Sequence, residues 1–125
     1  MITGIHHISM KCGSREELEK VRDFYIRVLG MRVFREWNEG VMIDSGGGYI
    51  EVFSTGAGER RKGVLRHVAF QTDDVDALAE KIRKNGYEVF LAPNDRVIPA
   101  SPEYPFRMAF CFGPLGEEIE LFCPR

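Results

Sequence analysis

Ile5-His6-His7-Ile8-Ser9-Met10-Lys11-Cys12 and Leu65-Arg66-His67-Val68-Ala69-Phe70-Gln71-Thr72 are the two stretches on which the reading of this chain turns. Both alternate between apolar and polar residues with period two, the pattern of a half-buried strand. Each runs into a charged segment with helical periodicity. The first covers about Ser14 to Leu29, with Leu18, Val21, Phe24, Tyr25, Val28 and Leu29 on one side. Ser14 precedes Glu17 by the three residues of a capping box. The second covers Val75 to Lys84, with Val75, Leu78, Ala79 and Ile82 inward and Asp73 or Asp74 as cap. Both helices reach a glycine, Gly30 and Gly86, the usual left-handed terminator.

The similarity continues beyond the helices. Met31 to Phe34 and Tyr87 to Phe90 read as strands, and each half closes on a strand with a central carboxylate. These are Tyr49-Ile50-Glu51-Val52-Phe53 and Glu118-Ile119-Glu120-Leu121-Phe122. Gly-rich turns, Ser45 to Gly48 and Gly113 to Gly116, precede them as hairpin punctuation. The second half is longer between its glycine and its carboxylate by about thirteen positions, which fit the Pro-rich stretch Ala92 to Phe106, read as a loop. The chain is therefore predicted to be α+β, with two βαβββ modules forming a curved mixed sheet. Module 1 covers about 1–57 and module 2 about 63–125, joined by the polar stretch Gly56 to Gly63. A length of 125 residues suits a single domain.

Strand parity then sorts the polar residues. His6, Ile8, Met10 and Cys12 share one face, suited to packing under the helices. His7, Ser9 and Lys11 share the other, as do His67, Ala69 and Gln71. Glu51 and Glu120 lie between buried partners, Ile50 with Val52 and Ile119 with Leu121, and can face the same concave side. His7, and not His6, is thus the counterpart of His67, and His6 is read as a packed or hydrogen-bonding histidine. A lone strand histidine or glutamate is ordinarily structural or solvated. A His and a Glu at matching positions in both halves point instead to one divalent metal bound by His7, Glu51, His67 and Glu120. Inward carboxylates are costly unless paired or metal-bound. Mixed nitrogen and oxygen ligation suits Ni, Co, Fe, Mn or Zn and leaves open positions for a chelating substrate.

Composition excludes several alternatives. The net charge of −2, with scattered Lys and Arg, offers no nucleic-acid or membrane footprint. With 44% hydrophobic and 29% charged residues the chain is neither disordered nor fibrous. No apolar run approaches the roughly 20 residues of a membrane span, and the start of the sequence does not read as a signal peptide. Cys12, Cys111 and Cys123 have no metal spacing and are read as reduced, packed thiols of a cytoplasmic protein.

The stretch His7…Asp23-Phe24-Tyr25…Val28-Leu29-Gly30-Met31 resembles the vicinal oxygen chelate superfamily, and within it the small glyoxalase I (lactoylglutathione lyase) type. Ile50-Glu51-Val52, Arg66 to Phe70, Gly113 to Gly116 and Ile119-Glu120-Leu121 extend that resemblance along the chain. It implies a homodimer with sites at the interface and a nickel- or cobalt-preferring centre, with zinc, manganese or iron as alternatives. It also implies a lyase that isomerises the hemithioacetal of methylglyoxal and a thiol to a 2-hydroxyacyl thioester. Glu120 would be the base and Glu51 its opposite catalytic partner. Lys11 stands where the family has a thiol-recognising arginine, and Thr55 where glutathione-using enzymes often carry Asn, so the thiol stays open. Lys11, Phe53 and Arg107 are the expected substrate contacts. Trp37 is read mainly as packing, and Arg96 and Tyr104 mainly as solvated loop residues. Other chemistries of the superfamily (epimerase, dioxygenase, thiol transferase) and a non-enzymatic drug-binding module are the alternatives.

Overall fold

The computed structural model describes residues 1, 3–58, 63–99 and 101–125. They form two compact units, Met1–Arg61 and Lys62–Arg125. Half of the polar stretch expected to join the modules, residues 59–62, lies outside the described residues.

The first unit opens with β1 (His7–Lys11) and α1 (Arg15–Arg22), followed by β2 (Arg32–Trp37), β3 (Gly40–Asp44) and β4 (Tyr49–Phe53). Ser14 caps α1 as its spacing predicted, its side chain accepting from the Glu17 amide at 3.1 Å. The helix does not continue with regular pitch to Leu29. Asp23–Val28 is wound as a π-helix, with the Leu29 amide donating to the Phe24 carbonyl. Both windings keep Phe24, Tyr25 and Val28 buried, so apolar spacing alone does not tell them apart. Gly30 then takes the left-handed backbone (φ 76°) that ends the helix.

The sheet order is β1-β4-β3-β2, with β1 parallel to β4 and the remaining pairs antiparallel. Leu18, Val21, Phe24, Tyr25 and Val28 of the helical segments are buried, as are Val41, Ile43, Ile50 and Val52 of the sheet. Each such aliphatic or aromatic side chain contributes about 1.5–3 kcal/mol by leaving water. Along β1 exposure alternates as parity requires, with His7, Ser9 and Lys11 more open than Ile8 and Met10.

The second unit repeats this plan with β5 (Val68–Gln71), α2 (Val75–Lys84), β6 (Val89–Ile98), β7 (Tyr104–Phe112) and β8 (Glu118–Pro124). Its order is β5-β8-β7-β6, again with the first strand parallel to the last. Asp74 caps α2 through the Ala77 amide at 2.9 Å, and Gly86 ends it at φ 85°. One expectation is corrected. The Pro-rich stretch Ala92 to Phe106 is mostly paired strand, because β6 and β7 extend into it from both ends. Pro93 falls where the β6–β7 register shifts, on the edge strand, and Pro105 lies near the start of β7. Those are positions where a missing amide donor breaks little of the ladder. The extra residues of the second half therefore lengthen a hairpin.

All three cysteines are free, with Cys12 and Cys111 buried and Cys123 partly open. Burial raises both enclosed thiols, and at Cys111, with the Glu117 charge adding to it, the value is pushed up to about 12. A thiol reagent at neutral pH should accordingly modify Cys123 alone in the native chain and all three residues after denaturation. Mass spectrometry of the labelled protein checks this, and rapid native labelling of Cys111 would contradict it.

Candidate metal centre

In the first unit the parallel ladder pairs Ser9 with Glu51. His7 lies two residues before Ser9 and so shares the Glu51 face. Its Nε2 is 3.6 Å from Glu51 Oε1, with side-chain exposures of 39% and 15%. In the second unit the ladder pairs Ala69 with Glu120, and His67 lies two residues before Ala69. There Nε2 is 3.1 Å from Glu120 Oε2, with exposures of 39% and 11%. The two halves thus place the same pair of donors at the same register of the same strand pairing. Glu120 is the one charged residue among the described side chains classed with the buried core.

The surroundings of the pairs differ. Met42 pairs across the ladder with Glu51, whereas Phe110 occupies the matching place beside Glu120. The Phe110 ring also meets the His67 ring edge-on, with centroids 5.1 Å apart. Phe90 stacks on Phe112 at 4.3 Å and lies 5.6 Å from Phe110, extending this aromatic strip. On the other unit the His7 Nδ1 meets His6 Nδ1 at 2.9 Å. Sequence reading alone missed both contacts of the paired histidines, with Phe110 and with His6. The first needs the strand register, and the second needs the rotamers of adjacent side chains.

The donors fit a divalent ion. Two ligand atoms about 2.1 Å from an ion and at right angles to each other stand about 3 Å apart, and a wider angle moves them further. Separations of 3.1 and 3.6 Å match neighbouring vertices of such a polyhedron. Imidazole nitrogen with carboxylate oxygen and no thiolate is a donor set for Ni, Co, Fe, Mn or Zn. Among the described residues no group of three or more His, Cys, Asp or Glu side chains comes together, so the set in each unit stops at two.

A family model for the glyoxalase/bleomycin resistance protein/dioxygenase superfamily matches residues 4–121. The chain belongs to this superfamily. Its members commonly bind small molecules, hold a divalent metal and dimerise. No sequence among curated proteins matches the chain. Solved structures share its fold at low identity. A glyoxalase/bleomycin resistance protein/dioxygenase from Alicyclobacillus acidocaldarius superposes with TM-score 0.72 at 17% identity, covering 98% of this chain and 92% of that one. A glyoxalase family protein from Enterococcus faecalis gives 0.71 at 22%, covering 97% and 98%. A lactoylglutathione lyase from Agrobacterium tumefaciens gives 0.69 at 16%, covering 98% and 95%. At such identities the likeness is one of fold.

Within this superfamily scaffold the expected substrate contacts divide. Lys11 is exposed on the His7 face of β1, and Phe53 lies on the Glu51 face of β4, edge-on to Trp37 at 5.4 Å. Arg107 is placed otherwise. It alternates with Met108 and Phe110 and so lies on the face of β7 opposite to Phe110. Its guanidinium donates to Asp76 of α2 at 2.5 and 2.7 Å and lies 3.2 Å from Asp95 of β6. A guanidinium held by two carboxylates ties helix to sheet. Arg96 and Tyr104, read as loop residues, lie in β6 and β7.

The Arg107 guanidinium, through its hydrogen bond, holds the Asp76 carboxyl below the usual carboxylate range, while Arg107 itself is raised and stays charged. A carboxyl lowered in the folded state contributes stability that is fully present above its unfolded pKa and is lost as pH falls through the folded one. Asp76→Asn should therefore lower the denaturant midpoint at neutral pH, and the difference from the parent should shrink below about pH 4. Equal midpoints at pH 7 would show that the pair contributes nothing.

Proposed function

We propose that this protein is a metal-dependent lyase of the glyoxalase I type, isomerising the hemithioacetal of a 2-oxoaldehyde and a thiol to a 2-hydroxyacyl thioester. The observation that supports it most is the His–Glu pair repeated at one register in both units. Two donors leave an ion under-coordinated, so the proposed centre takes His7 and Glu51 together with His67 and Glu120. We include in the proposal a homodimer in which each centre draws its two pairs from two subunits. The bound ion, Ni or Co before Zn, Mn or Fe, supplies Lewis acidity toward the two neighbouring substrate oxygens.

The chain's own residues handle the proton and the binding. Glu120 takes the proton from the carbon that bears sulfur and returns it to the neighbouring carbon. The hydroxyl proton on the sulfur-bearing carbon passes to the neighbouring oxygen, so no atom is gained or lost. Its carboxylate is largely shielded from water and flanked by Phe110, so a proton held there exchanges slowly with solvent while the substrate rearranges. Glu51, more open than Glu120, is the opposite carboxylate on the substrate. Lys11 supplies a cationic contact for the thiol portion and Phe53 an apolar one, both on the first unit's donor face. A cytoplasmic role in removing methylglyoxal belongs to the same proposal.

Glu120→Gln keeps the shape of the side chain and removes its basicity. Turnover of methylglyoxal with a panel of thiols should fall by about 10²–10⁴, with the circular dichroism spectrum unchanged. Chelator-treated protein should be inactive and regain turnover with nickel or cobalt. Unchanged turnover of Glu120→Gln would sink its role as base, full activity of the chelated protein would sink the metal dependence, and failure to bind any of these metals would favour a binding module.

Mixing His7→Ala with His67→Ala tests the dimer. If the centres span two subunits, each mixed dimer holds one intact donor set, and random pairing restores about a quarter of the parent activity. Centres confined to one chain give no recovery at any mixing ratio.

A further inference from the structure

We propose that His6 is a positioning residue for His7, holding its ring through the Nδ1–Nδ1 hydrogen bond so that Nε2 is presented to the metal beside Glu51. The inference rests on the reading of His7 as a metal ligand. Of the two nitrogens 2.9 Å apart, one must donate and the other accept. A ligating nitrogen needs its lone pair free. The His7 nitrogen on the Glu51 side is Nε2, so the His7 proton belongs on Nδ1, where it is donated to His6. His6 then accepts at Nδ1 and keeps its own proton on Nε2.

His6 is itself held. Its carbonyl accepts from the Tyr49 amide at 2.9 Å, which anchors its backbone to the strand that carries Glu51. A Cβ at Gly48 would come within 3.1 Å of the Ile5 carbonyl and 3.4 Å of the His6 carbonyl, so a glycine there makes room for that approach. The His6 ring lies 5.2 Å from Tyr49, and Tyr49 lies 4.5 Å from Phe34, with His6 and His7 nearly perpendicular at 87°. A chain of rings from β2 to β1 thus restrains the orientation of His7. The second unit carries Arg66 at the matching position and an edge-on Phe110 against His67, so the device belongs to the first unit. Partners on the far nitrogen of a ligating imidazole fix its tautomer and direction, and their loss costs about 10- to 100-fold in metal affinity.

The test is calorimetric titration of metal-free protein with nickel or cobalt. His6→Ala should keep the parent stoichiometry and raise Kd by about 10- to 100-fold. His6→Asn offers an amide oxygen about where Nδ1 stood and should recover most of the loss, whereas His6→Gln, reaching toward the Nε2 position, should not. Nitrogen chemical shifts of the imidazoles in the metal-free parent should put the His7 proton on Nδ1. An unchanged Kd in His6→Ala, an Asn variant no better than Ala, or a proton on Nε2 of His7 would each overturn the proposal. A lowered stoichiometry in His6→Ala would overturn it by making His6 a ligand. His7→Ala is the control. If it keeps parent affinity, the metal reading falls and the proposal with it, whereas lost affinity there beside an unchanged His6→Ala removes the proposal alone.

Discussion

The parallel pairing of the first and last strands of each unit is the constraint on which the candidate centre depends. Those ladders set Ser9 opposite Glu51 and Ala69 opposite Glu120. A slip of one residue would turn every side chain of the moved strand to the other face. The histidine two positions upstream would then point among the helices and leave its carboxylate unpaired. Register is protected by burial. Ile50, Val52, Ile119 and Leu121 alternate with the glutamates and are at most 2% exposed. The same alternation that builds the core aims the donors.

The two units use one plan for different surroundings. Around Glu51 the neighbours are mixed, with Met42 across the ladder and Tyr49 and Phe53 two residues away on the same face. Around Glu120 they are aromatic, with Phe110 and Phe112 on β7 and Phe90 stacked against them. Glu120 is the closer of the two glutamates to its histidine, at 3.1 Å against 3.6 Å.

Much of the plan was legible because it rests on short-range chemistry repeated twice. Ser14 and Asp74 as caps, Gly30 and Gly86 as terminators, and the period-two strands each depend on residues within a few positions of one another. What was not legible shares a cause. The Pro-rich stretch looked like a loop because prolines oppose strands in general, and only the position of β6 at a sheet edge makes them tolerable. The ion pair of Arg107 was likewise hidden, because nothing nearby in sequence pairs with it. Its partner Asp76 is on α2, brought against β7 by folding.

What the sequence by itself determined is the duplication, the order of elements, and which histidine and glutamate of each half share a face. These follow from periodicity, and periodicity is a property of the chain. The tertiary structure decided the rest. It settled the register that brings each His within 3.6 or 3.1 Å of its Glu, the commitment of Arg107 to Asp76, and the contacts of His6 and Phe110 with the donor histidines. Those depend on distances between residues far apart along the chain or on the rotamers of neighbours, and neither is written in the spacing of residue types.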